Sequence, residues 1–234
     1  MMDRNGNTYI FIYAAVMVIL VAALLASVAM ALKPRQTRNA EIERKQSILA
    51  SVNIESTVDN AEDIYSEKIK NQYVVNFEGE VIEGADAFEI DLKKERAKTI
   101  EERMLPVFEC NTDGGIKYIF PMRGAGLWGP IWGFVSLNGN MSTIYGANFD
   151  HQGETPGLGA EISTDWFQAT FRGKQIFDES GRLVSVAIVK PGQQADEKRS
   201  VDGISGGTIT SKGLEKMLLE DFRSYEKFLI KKKS

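Results

Sequence analysis

The chain has 234 residues, 43% hydrophobic and 26% charged, with a net charge of −4. That is room for one domain with appendages, in a composition that excludes a disordered chain, a collagen-like repeat, a polytopic membrane protein and a general nucleic-acid binder. One cysteine, Cys110, and one histidine, His151, exclude an internal disulfide, a Cys-based zinc site and an iron–sulfur cluster held by this chain alone, so any redox chemistry has to come largely from a bound cofactor.

Charge is unevenly placed: +3 over residues 1–38, −7 over 39–108 and zero over 109–234. Residues 1–8 read as a short tail and 9–32 as a transmembrane helix. The latter carry no charge, and as a helix they would span roughly 36 Å at 1.5 Å per residue, against a hydrocarbon core of about 30 Å. Tyr9 and Tyr13 suit the headgroup level at one end. The alternative is a cleaved signal peptide, since Ser27-Val28-Ala29 and Ala29-Met30-Ala31 resemble small-residue cleavage sites. The run exceeds the roughly 7–15 residues of a signal core, which favours a retained anchor. Lys33, Arg35, Arg38, Arg44 and Lys45 follow the span and only Arg4 precedes it. The positive-inside rule therefore favours a cytoplasmic body. No acid lies within the span, so a sodium path through this helix alone is not expected.

Residues 33–110 read as a juxtamembrane helix and accessory region. Over 39–52, Ile42, Leu49 and Val52 share one helical face. Residues 73–77 predict a strand. The charged stretch 93–103 fits a solvated helix or a linker. From residue 111 a second pattern begins, with short strands expected at 116–122, 131–137, 143–149, 175–177 and 183–189. Leu137-Asn138-Gly139-Asn140 and Asp178-Glu179-Ser180-Gly181 predict hairpin turns, because Asn and Gly tolerate positive φ. A short helix is expected over 163–171, capped by Ser163 or Thr164. A final helix over 211–230 places Leu214, Met217, Leu218, Phe222, Tyr225 and Leu229 on one stripe, with Lys231, Lys232 and Lys233 at its negative end. The fold class is α+β: one N-terminal transmembrane helix, then a small, mostly antiparallel sheet packed with helices.

Asp202-Gly203-Ile204-Ser205-Gly206-Gly207-Thr208-Ile209-Thr210-Ser211 is the segment that carries chemistry. Adjacent glycines let successive N–H groups form an anion-binding concavity, and the following helix start adds unsatisfied donors. Ser205, Thr208, Thr210 and Ser211 supply hydroxyls. The residues alone fit either a phosphate site with a hydroxyl nucleophile or a glycine-rich turn with hydroxyl caps. No GxxxxGK[ST] is present, and Lys212 lies too far from the glycines for a P-loop.

The same segment resembles the D-x-x-[ST]-G-A-T motif of FMN-binding domains, whose FMN is esterified to the final threonine. Asp202, Ser205, Gly206 and Thr208 match it; Gly207 stands where the family has alanine. His151-Gln152-Gly153-Glu154-Thr155-Pro156-Gly157-Leu158-Gly159 resembles the family's E-T-P-G-L-G loop. Phe120-Pro121-Met122-Arg123-Gly124-Ala125-Gly126-Leu127-Trp128-Gly129-Pro130 resembles its R-G-x-G-L-W segment. With the anchor, these segments make the chain similar to the C subunits of the Na+-translocating NADH:quinone reductases, with the G subunits of Rnf electron-transport complexes as the near relatives.

That resemblance implies a covalent-FMN-binding domain over 111–234 that relays electrons within a larger complex and is inactive toward NADH alone. It implies a phosphoester to Thr208, with Ser205, Gly206, Gly207, Thr210 and Ser211 around the phosphate. Glu154 and Thr155 would bond the ribityl chain or ring edge, with Leu158 and Gly159 beside the flavin. Trp128 would stack on the flavin or serve the core, and Trp132 more simply serves the core. Arg123 would offset ring or phosphate charge or form a surface salt bridge. Asp202, an anion like the phosphate, would serve recognition by the flavin transferase or orient the loop. His151 reads as a solvated loop residue and Cys110 as an inert thiol. No metal and no catalytic residue beyond the flavin are implied. The implied partners are the other subunits of the complex, a flavin transferase during maturation, and membrane lipid. The implied place of the body is the periplasmic face of a bacterial inner membrane, against the charge count. The alternatives are the G subunit of an Rnf-type complex, or a non-redox, membrane-anchored assembly or binding module.

Overall fold

The structure is a computed structural model that describes residues 6–233. Arg4 and most of the expected tail lie outside the described residues. The chain divides into two compact units, Met1–Arg44 and Lys45–Ser234. Helix α1, Asn7–Ser51, runs through both and continues past the expected 32/33 boundary, with Pro34 inside it. In the first unit its apolar side chains from Ile10 to Leu32 are largely exposed. They surround the helix rather than forming one stripe, which suits lipid on every side. Among the described residues it is the one helix long and apolar enough to cross a membrane.

The body begins with the last turns of α1, where Ile48 and Leu49 are buried, followed by Val52. That helix ends against the sheet. The Ser51 carbonyl accepts from Ser136 Oγ at 2.5 Å. Asn53, at φ 59°, turns the chain out of the helix and donates through Nδ2 to the Tyr145 carbonyl at 3.3 Å. A Cβ on Gly146 would lie 2.5 Å from the Ser51 carbonyl oxygen, so the helix end seats only on a glycine.

After α2 (Ala61–Lys68) come β1 (Ile69–Val75) and β2 (Val81–Ile82), then α3 (Leu92–Arg96) and a 3₁₀ turn, Ile100–Glu102. Strands β3 (Leu105–Thr112), β4 (Gly115–Ala125), β5 (Pro130–Leu137) and β6 (Ile144–His151) complete an antiparallel sheet of order β2-β1-β3-β4-β5-β6. A 3₁₀ turn at Gly159–Ser163 and helix α4 (Asp165–Ala169) follow, then a parallel pair, β7 (Ala187–Val189) and β8 (Ser200–Asp202), and helix α5 (Thr208–Lys233).

Alternation along the strands splits the core in two. Val107, Phe120 and Met122 join the larger cluster with α5, while Phe108, Cys110 and Ile119 face the other, with Ile48 and Val52. Phe120 meets Tyr225, Phe228 and Phe222 edge-on at centroid distances of 4.9, 6.2 and 6.4 Å, a favoured aromatic geometry. The larger cluster thus fixes α5 along β4. Cys110 is buried, and that burial pushes its thiol up to about 11.

Several elements depart from expectation. Strand β3 is buried on both faces over 105–110, so no period-two signal singles it out. Segment 175–177 makes only isolated bridges, and 183–189 contributes only β7, because Ser185 at φ 61° interrupts the extended chain. Around 138–143 the left-handed residue is Met141, φ 52°, rather than the Asn-Gly pair. Its side chain is buried in the core, and Asn140 Oδ1 accepts from the Ser142 and Thr143 N–H groups, each at 3.0 Å. The 178–181 turn forms as expected, with Gly181 at φ 80°. The charged stretch 93–103 becomes α3 and the 3₁₀ turn after it, and 163–171 contributes α4. Helix α5 starts at Thr208, three residues before the expected Ser211.

The accessory region clamps α5. Arg96 pairs with Glu220 at 2.6 Å and with Asp221. The Arg123 backbone N–H donates to Asp221 Oδ2 at 2.8 Å, and Arg103 Nη1 donates to Ser224 Oγ at 3.1 Å. Burial pushes the Asp221 carboxyl up to about 7, with the Arg96 charge opposing. The folded state therefore holds that proton more tightly than the unfolded chain. The associated stability is complete below about pH 4 and is lost as pH rises to about 7. Asp221→Asn should flatten this decline when urea unfolding of the detergent-solubilised chain is followed from pH 4 to 8. An unchanged slope would refute the assignment.

Candidate functional site

Between β8 and α5 the chain turns through 203–207. The Gly207 N–H bonds the Ile204 carbonyl at 3.0 Å, and Gly206 sits at φ 74°, where a side chain would be strained. A Cβ on Gly206 would lie 2.5 Å from Leu158 Cδ2, and one on Gly207 3.0 Å from Ile204 Cγ2. The two glycines thus let the loop carrying Leu158 close onto the turn.

The helix then separates three hydroxyls that lie close together in sequence. At 3.6 residues per turn, Thr210 points away from Thr208. Thr210 is 1% exposed, and its hydroxyl donates to Glu154 Oε2. Ser211 is also buried, and its Oγ accepts the Ile204 N–H at 3.2 Å. Thr208 is exposed at the first turn of α5, where the leading N–H groups have no intrahelical acceptor. Its side chain makes no hydrogen bond among the described residues. It borders a cavity of about 190 Å³, together with Ser211, Lys212 and the end of β7.

Glu154 joins this turn to the other two motifs. It is 5% exposed. Oε1 accepts the Trp128 N–H at 2.8 Å, Oε2 accepts from Thr210, and its own N–H donates to His151 Nδ1 at 3.2 Å. A Cβ on Gly126 would lie 2.5 Å from Glu154 Oε1. One on Gly159 would collide with Oε2 and lie 2.5 Å from Thr210 Oγ1. Segments around 126, 154 and 210 therefore converge on one carboxylate. The Gly126 N–H bonds the Gly129 carbonyl at 2.8 Å, closing a loop that presents Leu127 and Trp128 outward. Trp128 is 69% exposed and Leu158 41%, and Ile209 is exposed as well.

The structure thus brings together Glu154, Leu158, Gly159, Trp128 and the 205–211 turn. Thr155 is exposed, its carbonyl accepting the Leu158 and Ala160 N–H groups, each at 3.1 Å. Asp202 is exposed at the end of β8. Trp132 is half-buried in β5. Arg123 stands apart: its backbone is held at Asp221, about 20 Å along α5 from Thr208 at 1.5 Å per residue. Sequence reasoning missed the bridging role of Glu154 and set Lys212 aside. The signals present were the flanking glycines 126 and 159, and the four-residue spacing from Thr208 to Lys212.

The FMN-binding domain family matches residues 126–220, which hold this exposed hydroxyl on its glycine turn and the displayed apolar side chains, and so gives the class of the body. The chain is 30% identical to the C subunit of the Na(+)-translocating NADH-quinone reductase of Pseudomonas aeruginosa, over 93% of this chain and 92% of that one. It is 33% identical to the corresponding Neisseria meningitidis protein, over 91% and 88%. Among solved structures it is similar to the C subunit of the Parabacteroides distasonis reductase, with 48% identity, a TM-score of 0.79, and coverage of 85% of this chain and 96% of that one. Shewanella oneidensis NqrC gives 25% identity and a TM-score of 0.70, covering 82% and 97%. The chain belongs to the NqrC family, the C subunits of the Na(+)-translocating NADH-quinone reductases.

Truncating Glu154 should strand a buried hydroxyl and an N–H, each costing about 1–3 kcal/mol. Glu154→Ala is therefore expected to lower stability far more than Thr208→Val, whose hydroxyl is exposed and uncommitted. Urea unfolding of both variants checks this, and equal losses would count against the bridging role.

Proposed function

We propose that the body carries FMN as a phosphoester on Thr208 and relays electrons between neighbouring redox centres of a Na+-translocating NADH:quinone reductase. One observation carries the choice of residue. Of the hydroxyls at 208, 210 and 211, Thr208 alone is exposed and uncommitted. The residues present fit such a group: a glycine turn without side chains in the way, leading N–H groups of α5, the exposed Ser205 beside them, and the apolar faces of Leu158 and Trp128. Bound FMN supplies the electron-carrying chemistry, which no side chain of this chain provides.

The chain's own residues hold and shield. Thr208 Oγ1 is the ester oxygen. Ser205 and the Gly206 N–H present donors to the phosphate, while Gly207, its own N–H held by the Ile204 carbonyl, leaves the space beside them free of a side chain. Glu154 ties the Trp128 loop to the start of α5, and Leu158 and Trp128 would exclude water from the ring faces. Thr210 and Ser211 act from behind, Thr210 through Glu154 and Ser211 by holding the turn. Asp202, exposed and anionic, serves recognition by the flavin transferase. A tethered carrier at an exposed site keeps its flavin while remaining accessible to the partner proteins of the complex.

Thr208→Ala should abolish covalent flavin, whereas Thr210→Ser and Ser211→Ala should retain it. In-gel fluorescence and peptide mass mapping read this directly. A flavin adduct mapped to residue 210 or 211 and absent from 208 would overturn the proposal.

The body lies on the periplasmic face in this reading, which rests on the family resemblance and runs against Lys33, Arg35 and Arg38 beside the span. An alkaline phosphatase fused after residue 234 should be active. Activity only from a cytoplasmic reporter would reverse the orientation.

A further inference from the structure

The cavity beside Thr208 has a wall that the flavin motif does not include. It is formed by Ile188, Lys190 and Pro191 on one side and by Thr208, Ser211 and Lys212 on the other, enclosing about 190 Å³. Lys212 lies four residues after Thr208 on α5, so the two share a helix face, with Cβ atoms roughly 5–6 Å apart. Helical side chains lean toward the N-terminus, which carries the Lys212 stem back over Thr208. Its ammonium bonds the Ile188 carbonyl at 2.9 Å and Glu215, one turn further along α5, and Lys212 lines the same cavity as Thr208. An ammonium has three N–H donors. Two are committed, and the third is left for the cavity. Lys190 adds a second cation on the opposite wall.

We infer that Lys212, with Lys190 opposite, is the counter-ion of the phosphate carried on Thr208, and that this cavity receives the phosphate end of the flavin. The inference rests on the Thr208 reading. A phosphodiester keeps one negative charge, and the glycine turn offers that charge only neutral donors. Lys212 supplies a full opposite charge already oriented by two contacts, so little side-chain freedom is lost when the phosphate arrives. Glu215 partly offsets the ammonium until then and restrains it for the incoming anion.

The test uses the full chain co-produced with its flavin transferase. Lys212→Met keeps the stem and removes the charge. Expected results are a several-fold slower appearance of covalent flavin at limiting transferase, a displaced 31P resonance of the protein-bound phosphodiester, and faster depolarisation of flavin fluorescence. Lys212→Arg should restore all three, and thermal unfolding should move little. An unchanged 31P resonance with flavin still mapped to Thr208 overturns the Lys212 assignment and leaves the Thr208 reading intact. Flavin mapped to another residue in the unsubstituted protein overturns both. Equal loss in the Met and Arg variants, with a lowered unfolding temperature, assigns Lys212 a purely structural role and also overturns the inference.

Discussion

The site depends on one buried carboxylate. Glu154 accepts from the Trp128 backbone and the Thr210 hydroxyl, and these groups come from three separate stretches of chain. A buried carboxylate is tolerated only when its oxygens are satisfied, so the loops cannot move apart without leaving charge and donors unpaired. The same contact turns Thr210 inward, and a helix that turns Thr210 inward turns Thr208 out. Gly126 and Gly159 make the arrangement possible, since a Cβ at either position would enter the space of the carboxylate.

That contact needs a rigid platform. Helix α5 supplies Thr210 and Thr208 at one end, and its apolar stripe is sealed against β4 by Phe222, Tyr225 and Phe228 around Phe120. Farther along the helix, Arg96 and the Arg123 N–H secure Asp221. The accessory region thus secures the middle of α5 through Glu220, Asp221 and Ser224. Gly213 tightens the same contact, because a Cβ there would run into the Ala125 carbonyl. The antiparallel sheet is covered on both faces by apolar clusters.

The anchor, the antiparallel strands and the last helix were legible because their patterns are local: an uncharged apolar run, period-two strands and a 3.6-residue stripe. The three glycine-rich segments were legible as motifs. Their meeting point was not, because nothing in local spacing says that Glu154 reaches both Trp128 and Thr210. Strand β3 was hidden by having two buried faces, and Ser185 broke a strand that its apolar neighbours suggested. Thr210 read as a phosphate ligand because hydroxyls adjacent in sequence look equivalent, and only the rotation of the helix separates them. Arg123 belongs to a matched motif and read as either an offset for flavin charge or a surface salt bridge, and its backbone is held at Asp221.

Glu154 turns Thr210 inward and leaves Thr208 exposed, which underlies the proposal that Thr208 is the acceptor, and a crystal structure of the chain matured with a flavin transferase tests that most directly. The expected result is electron density continuous from Thr208 Oγ1 into a phosphate, with Glu154 still bonded to the Trp128 N–H and the Thr210 hydroxyl. Density joining the phosphate to another side chain, or a loaded site in which Glu154 has released both partners, would contradict it.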